Sequence, residues 1–225
     1  MFYDSTFLLV IPALLLALYA QYKVKSTYAK YSQVRCSRGY TGSQAARYIL
    51  DDYRLTNIQV VPIAGELTDN YDPRDKKLHL SEGIFNGNSV AALGVAAHEA
   101  GHAIQDAKAY APLKLRNGLF PVTNLGTTLA FPLFILGMIA GIPQLMDIGI
   151  ILFSLAVAFS IITLPVEFNA SNRAIRVLAD GHFLNQTEIP MARQVLNAAA
   201  LTYVAATAMA VMNLVRLLLL RSQRD

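Results

Sequence analysis

Two histidines and a glutamate lie within one turn of each other in the segment His98-Glu99-Ala100-Gly101-His102. On a helix, positions i and i+4 share one face, so each imidazole can give one nitrogen to a tetrahedral Zn²⁺ ion. Glu99, one residue further round, can reach a zinc-bound water and act as its general base. Burying these groups without a metal on a helix of Ala, Val and Gly would be costly. The spacing therefore predicts a hydrolytic zinc site.

A catalytic zinc ion takes three protein ligands and keeps one position open for water. Two other histidines are available as the third ligand. His79 lies in a predicted strand, and His182 follows the third of the chain's long apolar runs, residues 145–164. Glu167 is the better candidate because Pro165 should kink or restart the helix where that run ends. The second and third apolar runs then return the chain to the membrane face from which it left after His102. We expect Glu167 to meet the two imidazoles there.

The composition indicates a membrane protein. Of 225 residues, 54% are hydrophobic and only 15% are charged, whereas a soluble domain has about 25% charged residues. This excludes a disordered chain and argues against a soluble globule. The single cysteine, Cys36, excludes an intramolecular disulfide framework and fits a reducing compartment. The net charge is +4. In a membrane protein such a basic excess more often marks cytoplasmic loops than a nucleic-acid-binding surface, so no nucleic-acid partner is expected.

Four apolar runs are each long enough to cross the hydrocarbon of a bilayer as a helix. The first has no positively charged start, so we expect an uncleaved anchor. The sequence predicts a mainly α, polytopic helical membrane protein with a small α+β region that carries the HExxH segment. The chain is expected to be one domain, residues 1–225. The predicted spans are residues 3–22, 119–140, 145–164 and 195–220.

The distribution of Lys and Arg predicts the orientation. Thirteen of the 19 lie between Lys23 and Arg116, and none lies between residues 119 and 165. The positive-inside rule therefore places residues 23–118 and 165–194 in the cytoplasm. One feature opposes this orientation, because a fourth span would carry Arg221 and Arg224 outside.

Local signals predict elements in the water-facing segment. Thr41 and Gln44 form a capping box for a helix over 43–53, and Ser89 is a helix N-cap for a helix over 90–107. Two short strands on either side of the turn Asp72-Pro73-Arg74-Asp75 predict a hairpin. Its edge could align a substrate peptide by main-chain pairing.

Several segments resemble the bacterial membrane neutral zinc metallopeptidases, the YugP-like family. The resemblance implies that His98, His102 and Glu167 bind zinc, that Glu99 is catalytic, and that the protein lies in a bacterial inner membrane. More distantly, the layout is similar to the heat-shock and CAAX-processing membrane proteases, which carry Asp where this chain has Ser171. A hydroxyl should orient a zinc-binding imidazole less strongly than a carboxylate. The segments that carry the family resemblance are residues 67–74, 96–105, 164–171 and 197–206.

The predicted function is zinc-dependent endopeptidase activity on membrane-associated or misfolded proteins at the cytoplasmic face. Tyr203 and His182 are candidates to donate a hydrogen bond to the developing oxyanion. Protein or peptide substrates and the lipid bilayer are the expected partners. Two alternatives are an inactive scaffold that binds unfolded segments, and a transporter. The second and third runs hold only one charge, Asp147, which is too sparse for a coupled ion path.

Overall fold

The computed structural model describes residues 5–223, which are mainly helical with one small sheet. A short 3-10 helix, Ser5–Leu9, precedes the α-helices. The helices are α1 Ile11–Ser32, α2 Gly42–Asp52, α3 Glu82–Phe85, α4 Val90–Ala107, α5 Ala111–Ala140, α6 Pro143–Asp180 and α7 Ile189–Ser222. The strands are β1 Gln59–Ile63, β2 Asn70–Asp72 and β3 Lys77–Ser81.

Four helical segments are long and apolar enough to cross a membrane, which agrees with the four predicted runs. They extend beyond those runs. The first continues through Ser32 as one helix with the polar segment that follows it, and α6 continues through Pro165 instead of restarting there. The predicted start of the first span, residues 3–4, lies outside the described residues. The four segments are Thr6–Ser32, Ala111–Ala140, Pro143–Asp180 and Ile189–Ser222.

The chain divides into two compact units. The apolar unit contains the chain up to Gln21, Lys114–Pro165 and the chain from Leu201 onward. The site unit contains Tyr22–Leu113 and Val166–Ala200.

In the apolar unit, Phe134, Met146 and Leu217 belong to a core formed by α5, α6 and α7. Large apolar side chains on the outside of this unit are exposed, among them Ile139 at 77%. Side chains of this kind are stable facing lipid. Arg221 Nε donates to Asp147 Oδ1 at 2.8 Å, so the cation at the end of α7 is paired with the acid near the start of α6.

In the site unit, local sequence signals produce the predicted elements. Gln44 N donates to Thr41 Oγ1 and Thr41 N donates to Gln44 Oε1, which completes the predicted capping box of α2. Ser89 Oγ accepts from Ala92 N at 3.1 Å and caps α4. The interior of the unit is built around α4, and Val90, Leu93 and Ile104 on this helix are fully buried.

The sheet order is β1-β3-β2. β2 and β3 pair antiparallel with Tyr71 opposite Leu78, which forms the predicted hairpin. Its first strand, β2, ends at Asp72, which is the first residue of the predicted turn. β1 pairs parallel with β3, with Val61 opposite His79. This pairing joins segments distant in sequence, so no local signal predicted it.

Candidate metal centre

Helices α4 and α6 bring two imidazoles and one carboxylate together. Each of His98, His102 and Glu167 offers a ligand atom, and these atoms all lie within 4.8 Å of one another. Glu167 Oε2 is 3.2 Å from His98 Nε2 and 3.6 Å from His102 Nε2. All three side chains are largely shielded from solvent. Two imidazole nitrogens and a carboxylate oxygen are a donor set that suits zinc and leaves a fourth position open.

The second nitrogen of each imidazole has a partner that orients the ring. Ser171 Oγ lies 3.1 Å from His98 Nδ1, and Gln105 Oε1 lies 3.0 Å from His102 Nδ1. Because the Gln105 oxygen can only accept, Nδ1 of His102 carries the proton and Nε2 keeps its lone pair. Nε2 of both rings faces Glu167, as a metal site requires.

Gln105 connects the two helices that supply the ligands. It is fully buried, and its Nε2 donates to Val166 O at 2.8 Å and to Asn169 Oδ1 at 3.1 Å. These two acceptors fix which end of the amide faces His102. Arg173 Nε also donates to Asn169 Oδ1, at 2.7 Å. Gln105 is not among the site residues predicted from the sequence, although it is a polar residue three positions after His102 on an apolar helix.

Gly101 allows α4 to approach α6 closely. A Cβ at this position would lie 2.9 Å from Ala170 O and 3.4 Å from its Cα and carbonyl carbon. These neighbours are backbone atoms, so they cannot move aside as the end of a side chain can. A residue without a side chain at 101 is therefore a condition for the α4 and α6 ligands to meet.

Glu99 lies on α4 beside the cluster but is not one of the three converging ligands. It is only 9% exposed, and its Oε2 accepts a hydrogen bond from Tyr71 N at 3.1 Å. Burial raises the pKa of Glu99, although the neighbouring His102 and His98 oppose the shift. A carboxyl group with a raised pKa takes up a proton more readily than an ordinary one, which suits a group that accepts and passes on a proton.

The hydrogen bond to Glu99 also affects the edge of the hairpin. Tyr71 N is engaged by Glu99, so it is not a free donor for a substrate strand while that bond is made. Backbone N–H groups alternate between the two edges of a strand, and Pro73, two residues on, has none. A substrate strand that pairs with the outer edge of β2 would therefore compete with Glu99 for the N–H of Tyr71.

The other residues considered from sequence are not among the three clustered ligand residues. His79 on β3 has its Nε2 3.5 Å from Asp75 Oδ2 and is not part of the cluster. His182 is exposed in the turn after α6, has a positive φ of 54°, and lines a cavity with Arg38 and Asn185. Tyr203 is 38% exposed on α7, in the apolar unit. Catalytic roles for His182 and Tyr203 stay predictions.

The profile of the family described as "putative neutral zinc metallopeptidase" matches residues 6–222, so the chain belongs to this family of zinc metallopeptidases. Among curated proteins, the "putative membrane protease YugP" of Bacillus subtilis (strain 168) is 47% identical over 212 residues, which cover 94% of each chain. No solved structure matches. These findings confirm the resemblance seen in the sequence. Zinc is the metal that the family implies, and the cluster of His98, His102 and Glu167 could hold it.

Proposed function

We propose that this protein is a zinc-dependent membrane endopeptidase that cuts membrane-associated or misfolded proteins at the cytoplasmic face. The observation that carries the proposal is the convergence of His98, His102 and Glu167 beside the buried carboxyl group of Glu99. The "membrane protease" in the name of the Bacillus subtilis relative supports a protein or peptide substrate.

His98, His102 and Glu167 would hold the metal through Nε2, Nε2 and a carboxylate oxygen. Zinc bound by this set would lower the pKa of a water molecule and polarise the scissile carbonyl group. Ser171 and Gln105 keep the two rings in the orientation that directs Nε2 to the centre.

Glu99 is the general base of the proposed reaction. It accepts a proton from the attacking water and later delivers that proton to the leaving amine. Tyr71 N holds Oε2 of the carboxylate. Oε1 has no hydrogen-bond partner among residues 5–223, which leaves it for the water. The developing negative charge on the carbonyl oxygen needs a donor, and Tyr203 and His182 are the proposed ones.

The cytoplasmic orientation rests on the excess of Lys and Arg between residues 23 and 116. The ion pair between Arg221 and Asp147 supports the cytoplasmic orientation. This orientation places Arg221 outside, and the carboxylate of Asp147 neutralises its positive charge. Arg224 lies outside the described residues.

Metal analysis and peptide hydrolysis by the purified protein test the proposal. We expect about one zinc per chain, hydrolysis of an unstructured peptide, loss of activity with a chelator, and recovery when zinc is restored. The protein with both His98→Ala and His102→Ala should lose zinc and activity. His79→Ala is the matched control, since that ring lies by Asp75. Near-stoichiometric zinc in the double variant would contradict the ligand assignment, and zinc without hydrolysis in the parent would favour an inactive scaffold.

A further inference from the structure

Tyr71 joins the β2–β3 hairpin to α4 at two points. Its main-chain N–H donates to Glu99 Oε2 at 3.1 Å, and its phenol OH donates to Asp106 Oδ2 at 2.8 Å. We propose that these two contacts form a latch, the Tyr71 latch, in which Asp106 is a positioning residue that acts on the base through Tyr71. This inference rests on the proposed role of Glu99 as the general base.

The two acceptors of the latch share one face of α4. Glu99 and Asp106 are seven residues apart, which is about two helical turns. One residue of β2 therefore contacts both the base and a carboxylate two turns away. Lys76, at the other end of the hairpin turn, places its Nζ 2.8 Å from the same Asp106 oxygen. Asp106 thus binds the hairpin on both sides of its turn.

Contacts within the hairpin hold its turn and its two ends together. The Asp72 carboxylate accepts from the main-chain N and the guanidinium of Arg74, and Asp75 Oδ1 accepts from Lys77 N. Asp69 Oδ1 accepts from Ser81 N at 2.7 Å, which ties the start of the hairpin to the end of β3. Because the hairpin is held in this way, the contact of Asp106 with the Tyr71 phenol also determines where the main-chain N–H of Tyr71 lies.

The phenol of Tyr71 remains a donor over the physiological pH range. Burial and the hydrogen bond to Asp106 raise the pKa of Tyr71 above its already high ordinary value. The latch is therefore a constant feature of the fold. It also gives a role to the segment 67–74, which the zinc-site chemistry alone leaves without one.

The test compares Tyr71→Phe, Asp106→Ala and the double variant. Tyr71→Phe removes the phenol OH and keeps the main-chain N–H. Tyr31→Phe is the matched control, because Tyr31 also donates its OH to a side chain, Gln194 Oε1, at 2.8 Å. The measurements are kcat and KM of zinc-loaded protein, zinc affinity by chelator competition, and hydrogen exchange of the amides in residues 69–73.

We expect kcat to fall about 10-fold or more in both single variants, since small displacements of a catalytic group are costly. KM and zinc affinity should stay within about threefold, because no zinc ligand is touched. The double variant should lose no more than Asp106→Ala alone, because that variant already lacks the Tyr71 bond in addition to the Lys76 ion pair. Exchange of residues 69–73 should be faster, and Tyr31→Phe should match the parent in all these measurements.

The proposal is overturned if Tyr71→Phe and Asp106→Ala keep the parent kcat, if their losses are additive, or if amide exchange is unchanged. A parent protein that binds zinc but hydrolyses no peptide would defeat the proposed function instead. In that case the exchange measurement still decides whether Asp106 holds the strand. Faster exchange in both variants would support the latch as a structural contact, and unchanged exchange would overturn it.

Discussion

Ser171 Oγ lies 3.1 Å from Nδ1 of His98, one helical turn beyond Glu167 on the same helix. The hydroxyl contacts the ring nitrogen of His98 that does not face Glu167, and it carries no negative charge. A hydroxyl is expected to orient the ring less strongly than a carboxylate would.

Ser171→Ala should weaken zinc binding about 10-fold, near the lower end of the range for partners of metal-binding histidines. Competition with a chromophoric chelator measures the affinity. Ser32→Ala is the control, because the Ser32 hydroxyl bonds only to Ala29 O on an exposed part of α1. A zinc affinity equal to that of the parent would show that the Ser171 contact does not orient His98.

Two glycines of α4 should respond oppositely to alanine. Gly101→Ala should destabilise the protein and lower its zinc content, because the new Cβ would meet the backbone of Ala170 at 2.9 Å. Gly94→Ala should be tolerated or stabilise by up to about 1 kcal/mol, since helix propensity improves. Its Cβ would make an ordinary contact with Ala192 Cβ at 3.7 Å. Thermal unfolding in detergent and metal analysis check the pair, and equal behaviour would contradict the packing argument.

Gln105→Leu should lower both stability and zinc affinity. Leucine has a similar volume but leaves Val166 O and His102 Nδ1 without their buried partner. An unsatisfied buried group costs about 1–3 kcal/mol. Urea unfolding measures the change. Gln59→Leu, at an exposed position, should change stability by less than about 0.5 kcal/mol. Comparable effects in the two variants would contradict a special role for Gln105.

The orientation in the membrane can be tested with introduced cysteines. Cys36 itself is a poor reporter, because it is 4% exposed and burial raises the pKa of its thiol. In a Cys36→Ala background, Thr56→Cys and Gln144→Cys place thiols at exposed positions. A membrane-impermeant maleimide should label the Gln144→Cys protein in intact cells and the Thr56→Cys protein only in lysed cells. The reverse pattern would invert the topology.

Local sequence signals predicted much of the site unit. The capping box of Thr41 and Gln44, the N-cap Ser89 and the turn at Asp72–Asp75 act over a few residues, so the sequence alone shows them. The HExxH spacing and the segment after Pro165 also pointed to the residues that converge. Parallel pairing of β1 with β3, and the contacts of Gln105 and Tyr71, depend on tertiary packing that no local pattern encodes. The continuity of α6 through Pro165 is a further example, because packing around a long helix can accommodate a proline and the local sequence does not show that packing.

The measurement that tests the central claim most directly is peptide hydrolysis by the Glu99→Gln protein, with its zinc content determined on the same sample. The substitution removes the base and nearly preserves the shape of the side chain. We expect the parent zinc content and a rate about 10²–10⁴-fold lower. Hydrolysis at the parent rate by the zinc-loaded variant would contradict the account, because Glu99 would then not be the base of a zinc peptidase.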